Sequence, residues 1–391
     1  MTPRELRASL SLAAIFGLRM LGMFIILPVF TLWTQGRPGW SLQLAGIAIG
    51  VYGLTQAVLQ IPFGRLSDRV GRKPVIYAGL AAMAAGSFAC AMSQSPAGMI
   101  AGRVLQGVGA ISGVAIAFAA DLTRETQRSK TMAIIGSTIG AAFAVSFVAA
   151  PSLEQWIGLH GIFAVTGTLA LAAMAAARWV VPDAPLVERS PAMPAFSEVL
   201  RIPELIRLNV GIFTLHAVLM AMFVVTPVAL VRAGLPKAHH WWIYLGAMAG
   251  GLALMMPAVG ARTSRRERPV FLAAVAVVAV GLAVLAAGLT SVAAIATALV
   301  IFFAGFNVLE AKLPALVSRA APPEARGAAT GVYSSVQFLG TFVGSAAGGA
   351  LAQHAGFVAA LAACVALTLL WLAVAWNMGD FVPAAPGIAR R

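Results

Sequence analysis

Charge is scarce in this chain. Only 10% of its 391 residues are Asp, Glu, Lys or Arg, and just 13 are acids. A soluble domain carries about a quarter charged residues, so an ordinary water-exposed globular enzyme is excluded. Disorder is excluded as well, because 60% of the residues are hydrophobic and disordered chains are poor in them. Cysteine is nearly missing: Cys90 and Cys364 stand alone in apolar stretches. They have no metal-ligand spacing and read as small buried side chains. A Gly-rich phosphate loop ending in Lys-Ser/Thr is absent from the sequence, which argues against a nucleotide-driven pump. Paired carboxylates, His/Glu metal spacing and a nucleophile beside a base are missing from the apolar stretches, so neither catalysis nor a cofactor is expected. The first apolar run is too long for a signal-peptide core, and no cleavable leader is expected.

What the chain has is apolar length. Twelve runs, at roughly 8–34, 41–63, 74–94, 97–121, 131–153, 158–181, 208–231, 241–260, 269–289, 292–317, 328–352 and 355–377, each suffice to cross a bilayer core. The expected class is an all-α integral membrane protein of twelve transmembrane helices. The longest polar interruption contains Pro182, Pro185, Pro191, Pro194 and Pro203. It divides the chain into a six-helix bundle (1–181), a linker (182–207), a second six-helix bundle (208–380) and a tail (381–391).

The net charge of +14 could suggest a nucleic-acid partner, but its placement argues otherwise. With both termini in the cytoplasm, inner loops and tails hold 21 of the 27 Lys and Arg residues, and outer loops hold Arg37, Arg232 and Lys237. That is the positive-inside bias of a multi-pass protein. The expected setting is a bacterial-type inner membrane, with lipid around a monomer and no nucleic acid.

The halves echo each other. "GRLSDRVGRKP" (Gly64 to Pro74) lies between spans two and three, and "GARTSRRERP" (Gly260 to Pro269) between spans eight and nine. Both start at Gly, run through basic residues and stop at a Pro that opens the next helix. Repeated halves point to a transporter whose site lies between them. Small residues recur at four-residue spacing: Gly46 and Gly50, Gly109 and Gly113, Gly136 and Gly140, Gly246 and Gly250, then Gly340, Gly344 and Gly348. Such faces let helices approach closely and would permit rocking.

In the first of these segments Gly64, Asp68, Arg69, Gly71, Arg72 and Lys73 match the loop signature of the major facilitator superfamily. "RMLGMFIILPVF", "YGLTQAVLQIPFG", "GRVLQGVGA", "DLTRE", "FNVLEAKLPAL" and "GVYSSVQFLG" extend the likeness over essentially the whole chain. It resembles the YajR-like branch of the drug:proton antiporters, without the extra C-terminal soluble domain that members can carry. The resemblance implies a secondary transporter and makes Arg103 the arginine associated with proton coupling. Span five departs from the antiporter pattern: it reads "SFVAAPSLEQ", with Ala150 before Pro151 and Glu154-Gln155 where glycines would follow.

Twelve of the 13 acids map to loops, tails or span ends, and Glu310 alone lies well inside a span. An ionisable group at membrane depth is costly and is a functional candidate by default. Removal from water favours a neutral carboxyl, which suits a proton carrier; the alternative is a structural pair with Lys312 or Asn307. Arg103 would bias a partner's protonation or bind an anion, or else bond helix carbonyls. Arg19 in span one is a candidate of the same kind, closer to the inner face. His216 is the lone mid-span histidine and either titrates or packs. Tyr52, Gln56 and Gln60 share one face of span two. With Gln106, Asn307, Tyr333 and Gln337 they would line a central cavity or bond helix to helix.

The expected function is proton-coupled export of an amphipathic small molecule by alternating access; the runner-up is a facilitator or symporter of an organic solute. Asp68 needs its own account, because topology requires only positive charge. By resemblance, its loop lies against the start of span eleven, near Pro322 and Pro323, when the transporter faces outward. A carboxylate there meets the positive end of a helix, while Arg72 reaches Asp121. These residues are expected to latch the cytoplasmic side.

Overall fold

The computed structural model describes residues 1–183, 199–260, 267–322 and 325–378. Among these no strand occurs, and nearly everything is helix. The helices are α1 (Pro3–Phe24), α2 (Phe30–Thr34), α3 (Leu42–Val70), α4 (Arg72–Met92), α5 (Pro96–Gly107), α6 (Ser112–Asp121) and α7 (Glu125–Trp179). They continue with α8 (Pro203–Arg232), α9 (His240–Gly260), α10 (Glu267–Ala287), α11 (Val292–Ala320), α12 (Arg326–His354) and α13 (Gly356–Trp376). Among the described residues nine helical segments are long and apolar enough to cross a bilayer, α5 and α6 together forming one of them.

The 55-residue α7 would extend about 80 Å if straight, far beyond a bilayer core of about 30 Å. It bends at Gly158, where φ is +66°, a conformation open to glycine without a Cβ penalty. The bend makes two passes of one helix. With these two arms, and with α9 and α12 in sequence, twelve passes agree with the fold. Exposed Trp156 and Trp242 near one end of their helices and Trp179 and Trp376 near the other mark the two membrane–water boundaries, where amphipathic indoles settle.

The two halves touch along a smooth seam between α3 and α12. A Cβ on Gly46 would overlap the carbonyl oxygen of Ser345, and one on Gly50 the Ser345 hydroxyl. Gly349 in turn lies against the Leu42 carbonyl. The other glycine series serves a different contact: Gly340, Gly344 and Gly348 press on Phe213, Ala217 and Ala221 of α8, within the second half. Four-residue spacing alone does not distinguish the two uses.

The signature segment is more helical than a loop reading expects. Gly64 to Val70 are the last two turns of α3, and the break to α4 is the single residue Gly71, with φ of +95°. The helix outlasts its apolar stretch because Arg65, Asp68 and Arg69 can sit in water beyond the hydrocarbon. Pro74 stands in the first turn of α4, where its missing N–H is harmless. The matching segment 261–266, the linker at 184–198, Pro323 and the tail from 379 lie outside the described residues.

Candidate functional site

In the first half, two buried guanidinium groups organise the polar residues. Arg19 donates from Nε to the Gly109 carbonyl at 2.9 Å, and also to the Ser112 hydroxyl and the Gln56 side-chain oxygen. Gln56 passes the network on through its amide nitrogen to the Gly107 carbonyl at 3.0 Å. Arg103 donates to the carbonyls of Ala48 and Ile49, each at 3.2 Å, and to the Gln106 side-chain oxygen. It lies 4.8 Å from the centre of the Tyr52 ring. Gln106 donates onward to the Ser87 hydroxyl at 2.8 Å.

The Gly107 and Gly109 carbonyls are open as acceptors because α5 stops at Gly107 and α6 starts at Ser112, which frees terminal carbonyls from helix bonding. The Ala48 and Ile49 carbonyls that Arg103 reaches lie inside α3. A guanidinium supplies five donors in a fixed fork and keeps its charge, so it can tie three helices at once. Tyr52, Gln56 and Gln106 are thus engaged by the arginines rather than left bare to a cavity. Of the roles open to Arg103 from sequence, the carbonyl-bound one is the geometry seen. Gln60 is buried one helical turn further along α3, with its side-chain oxygen unpartnered.

In the second half, three helices bring together two of the residues singled out for proton chemistry, Glu310 and His216, with the cavity candidate Gln337, while Arg19 and Arg103 stay in the first-half network. Glu310 Oε2 lies 3.9 Å from His216 Nε2. The same His216 nitrogen is 2.8 Å from the Gln337 amide nitrogen; an amide N–H can only donate, so Gln337 donates and His216 Nε2 accepts. Glu310 is 32% exposed, yet its Oε2 is buried without a hydrogen-bond partner, as is the Tyr333 hydroxyl. Tyr333 sits one turn before Gln337 on α12, and half-buried Asn307 one turn before Glu310 on α11. Lys312, two residues past Glu310, leaves α11 about 200° round the helix; the cation-capable neighbour of Glu310 is His216. Phe338, next to Gln337 on α12, lies 5.9 Å from the Arg19 guanidinium across the seam.

The signature residues form a compact cluster. Arg72 contacts Asp68 at 2.8 Å and Asp121 at 3.0 Å, and donates to the Ser67 hydroxyl at 2.5 Å. Arg72 is nearly buried, which makes its two carboxylates compensation for a desolvated charge. Lys73 pairs with Asp183 at 2.6 Å. That hydrogen bond and the lysine charge hold the Asp183 carboxyl below its ordinary range. A Cβ added at Gly64 would meet nothing within 4 Å. The N-cap residue of α12 is Ala325, which has no side-chain oxygen to satisfy the first amides.

Two further contacts escaped the sequence reading. Glu5 caps α1 in a reciprocal box with Thr2 and accepts from Arg124 at 2.8 Å. Its signal was the T-x-x-E spacing at Thr2 and Glu5. At the far face Glu154 pairs with Lys237 at 2.9 Å, joining the halves. Behind it the Phe147 ring lies 5.2 Å from Tyr244 and 4.6 Å from Phe223, and Phe143 lies 5.9 Å from Phe303. Together with the α3–α12 seam, this aromatic plug closes the face that carries Glu154.

Comparison with known proteins agrees with this geometry. The family model of the Major Facilitator Superfamily matches residues 12–344. The chain is 43% identical to the inner membrane transport protein YajR of Escherichia coli K12, over 97% of this chain and 85% of that protein. It is 25% identical to the multidrug resistance protein MdtH of Aeromonas salmonicida, over 86% of this chain and 85% of that protein. Among solved structures it resembles a bacterial homologue of the human lysosomal transporter Spinster, determined in an inward-facing and occupied conformation. There the TM-score is 0.77 at 13% identity, covering 96% of this chain and 97% of that one. Twelve passes in two halves, a signature segment after the second pass and a match over most of the sequence lead to one assignment: the chain belongs to the major facilitator superfamily.

Proposed function

We propose that this membrane transporter is a proton-coupled exporter of amphipathic small molecules, working by alternating access in an inner membrane with its basic face in the cytoplasm. The observation that carries the reading is the convergence of Glu310, His216 and Gln337 from three helices at membrane depth. A carboxylate oxygen there lacks a hydrogen-bond partner and yet part of the side chain remains accessible. Such a group can take up a proton without breaking a structural bond. The multidrug relative supports the substrate class.

Reconstitution into proteoliposomes tests this reading. Export of a lipophilic cation should follow an imposed pH gradient and stop when the gradient is collapsed. Flux that ignores the gradient would favour a facilitator. The departure in span five gives that alternative a specific basis, because Glu154 is engaged by Lys237 where the antiporter pattern has glycine.

Asp68, Arg72 and Asp121 are the latch in this scheme. Arg72 ties the end of α3 to α6 within the first half, and Asp68 is the group offered to the amides of α12 when the cytoplasmic side closes. A carboxylate at a helix N-terminus gains roughly 0.3–1 kcal/mol, up to about 2 when partly buried. One or two kcal/mol shifts a two-state balance about five- to thirty-fold. Asp68→Asn should therefore favour the inward-open state and slow turnover at unchanged expression. Double electron–electron resonance across the basic face reads this directly, and unchanged distances would remove the latch.

A further inference from the structure

A second polar site lies away from the transport path. The ends of α1, α4 and α7 enclose a cleft of about 500 Å³ on the basic face, lined by Arg4, Arg7, Lys73, Arg178, Trp179 and Asp183. Among the described residues, four cations there face one acid. Lys73 is matched by Asp183 at 2.6 Å, which leaves three guanidinium groups in excess. Two are held by the main chain: Arg4 donates to the Asp183 carbonyl at 3.3 Å, and Arg7 to the carbonyls of Val180 and Trp179 at 3.0 and 3.4 Å. These bonds use one donor of Arg4 and two of Arg7 and fix both groups at the rim, with other N–H groups available for an anion.

The surroundings indicate where that anion comes from. Trp179 is 74% exposed beside the cleft, as an indole at the headgroup level is. Exposed Leu10 stands one turn membrane-ward of Arg7 on the same face of α1, and exposed Leu171 two turns membrane-ward of Arg178 on α7. Each helix thus presents an exposed leucine on the bilayer side of the cleft, where an acyl chain would lie. We propose that this cleft binds the phosphodiester headgroup of an anionic phospholipid, with Arg4, Arg7 and Arg178 around the phosphate and Trp179 at the glycerol level. Bidentate guanidinium–phosphate geometry suits such a site. Basic pockets between transmembrane helices are suited to lipid headgroups. The site bridges α1 and α7 of the first half, so the lipid would brace that half from outside.

The test is thermal stability of the purified full chain in mild detergent, titrated with phosphatidylglycerol, phosphatidylcholine or inorganic phosphate. Phosphatidylglycerol should raise the melting temperature, and the other two should leave it unchanged. Replacing Arg7 and Arg178 together by Gln should weaken the apparent affinity roughly 30-fold, since each surface cation near anionic lipid contributes about a factor of five. Should the double variant fail to fold, exposed Arg178→Gln alone carries the test with a fall of about fivefold. An equal phosphatidylglycerol shift in the variants would overturn the site. An equal shift from inorganic phosphate would overturn the lipid as its ligand.

Discussion

Glu310→Gln should abolish pH-driven accumulation while leaving the protein folded. Gln keeps the volume and polarity of the side chain but cannot titrate. The carboxylate oxygen it replaces has no hydrogen-bond partner, so no buried bond is lost. One pH unit across the membrane corresponds to about 1.4 kcal/mol per proton, or roughly tenfold in substrate accumulation. With one proton exchanged, the wild type should reach that ratio and the variant should equilibrate near unity. Counterflow exchange without a gradient should persist, because substrate contacts and rocking are intact. If the variant still accumulates substrate against its gradient, the proton passes to His216 or bypasses embedded acids altogether. His216→Asn separates these outcomes: it removes the ring 3.9 Å from Glu310 and should change the pH dependence of flux without abolishing coupling.

The twelve passes were legible because a bilayer imposes a length, and each apolar run meets it within a few residues. Gly158 was not legible as a mere bend. A run of 55 residues contains two passes whether a loop or a kink joins them, and only backbone geometry distinguishes these. Glu310 could be found by elimination, since a scarce acid inside a span has few explanations. Its neighbours could not: His216 and Gln337 stand 94 and 27 residues away in sequence, and only the packing of α8, α11 and α12 brings them together. Elimination also left Lys312 as a partner. Helical phase removes it, because two residues turn the chain to the opposite side. The arginines show the opposite limit. Arg19 and Arg103 stand out in sequence as charges at membrane depth, yet what holds them is mostly main-chain and amide oxygen, to which composition and spacing are blind. The Gly109 acceptor of Arg19 depends on the break between α5 and α6, where "GVGAIS" (residues 107–112) interrupts the fourth span, whereas Arg103 reaches carbonyls inside α3.

Gly46→Ala should shift the transporter toward the state open on the Glu154 face. In the closed arrangement the added methyl group would meet the main-chain oxygen of Ser345, an atom that cannot rotate aside as a side chain does. Forcing extra methylene-sized groups into a packed contact costs typically about 1–3 kcal/mol, which corresponds to roughly a 5- to 150-fold change in a two-state ratio. Folding should not suffer, because Ala is better than Gly inside a helix by about 1 kcal/mol and the clash arises only when the halves meet. Gly344→Ala is the matched control. Its methyl group would meet the backbone of Ala217 inside the second half, a contact that rocking does not relieve. It should lower the melting temperature and leave the state ratio alone. Nitroxide labels at exposed Gln35 and His239 read the separation of the halves on that face. Gly46→Ala should lengthen that distance and slow turnover, and Gly344→Ala should do neither. If both variants lower stability alike and neither moves the labels, the α3–α12 seam is permanent packing and the halves must part along a different surface.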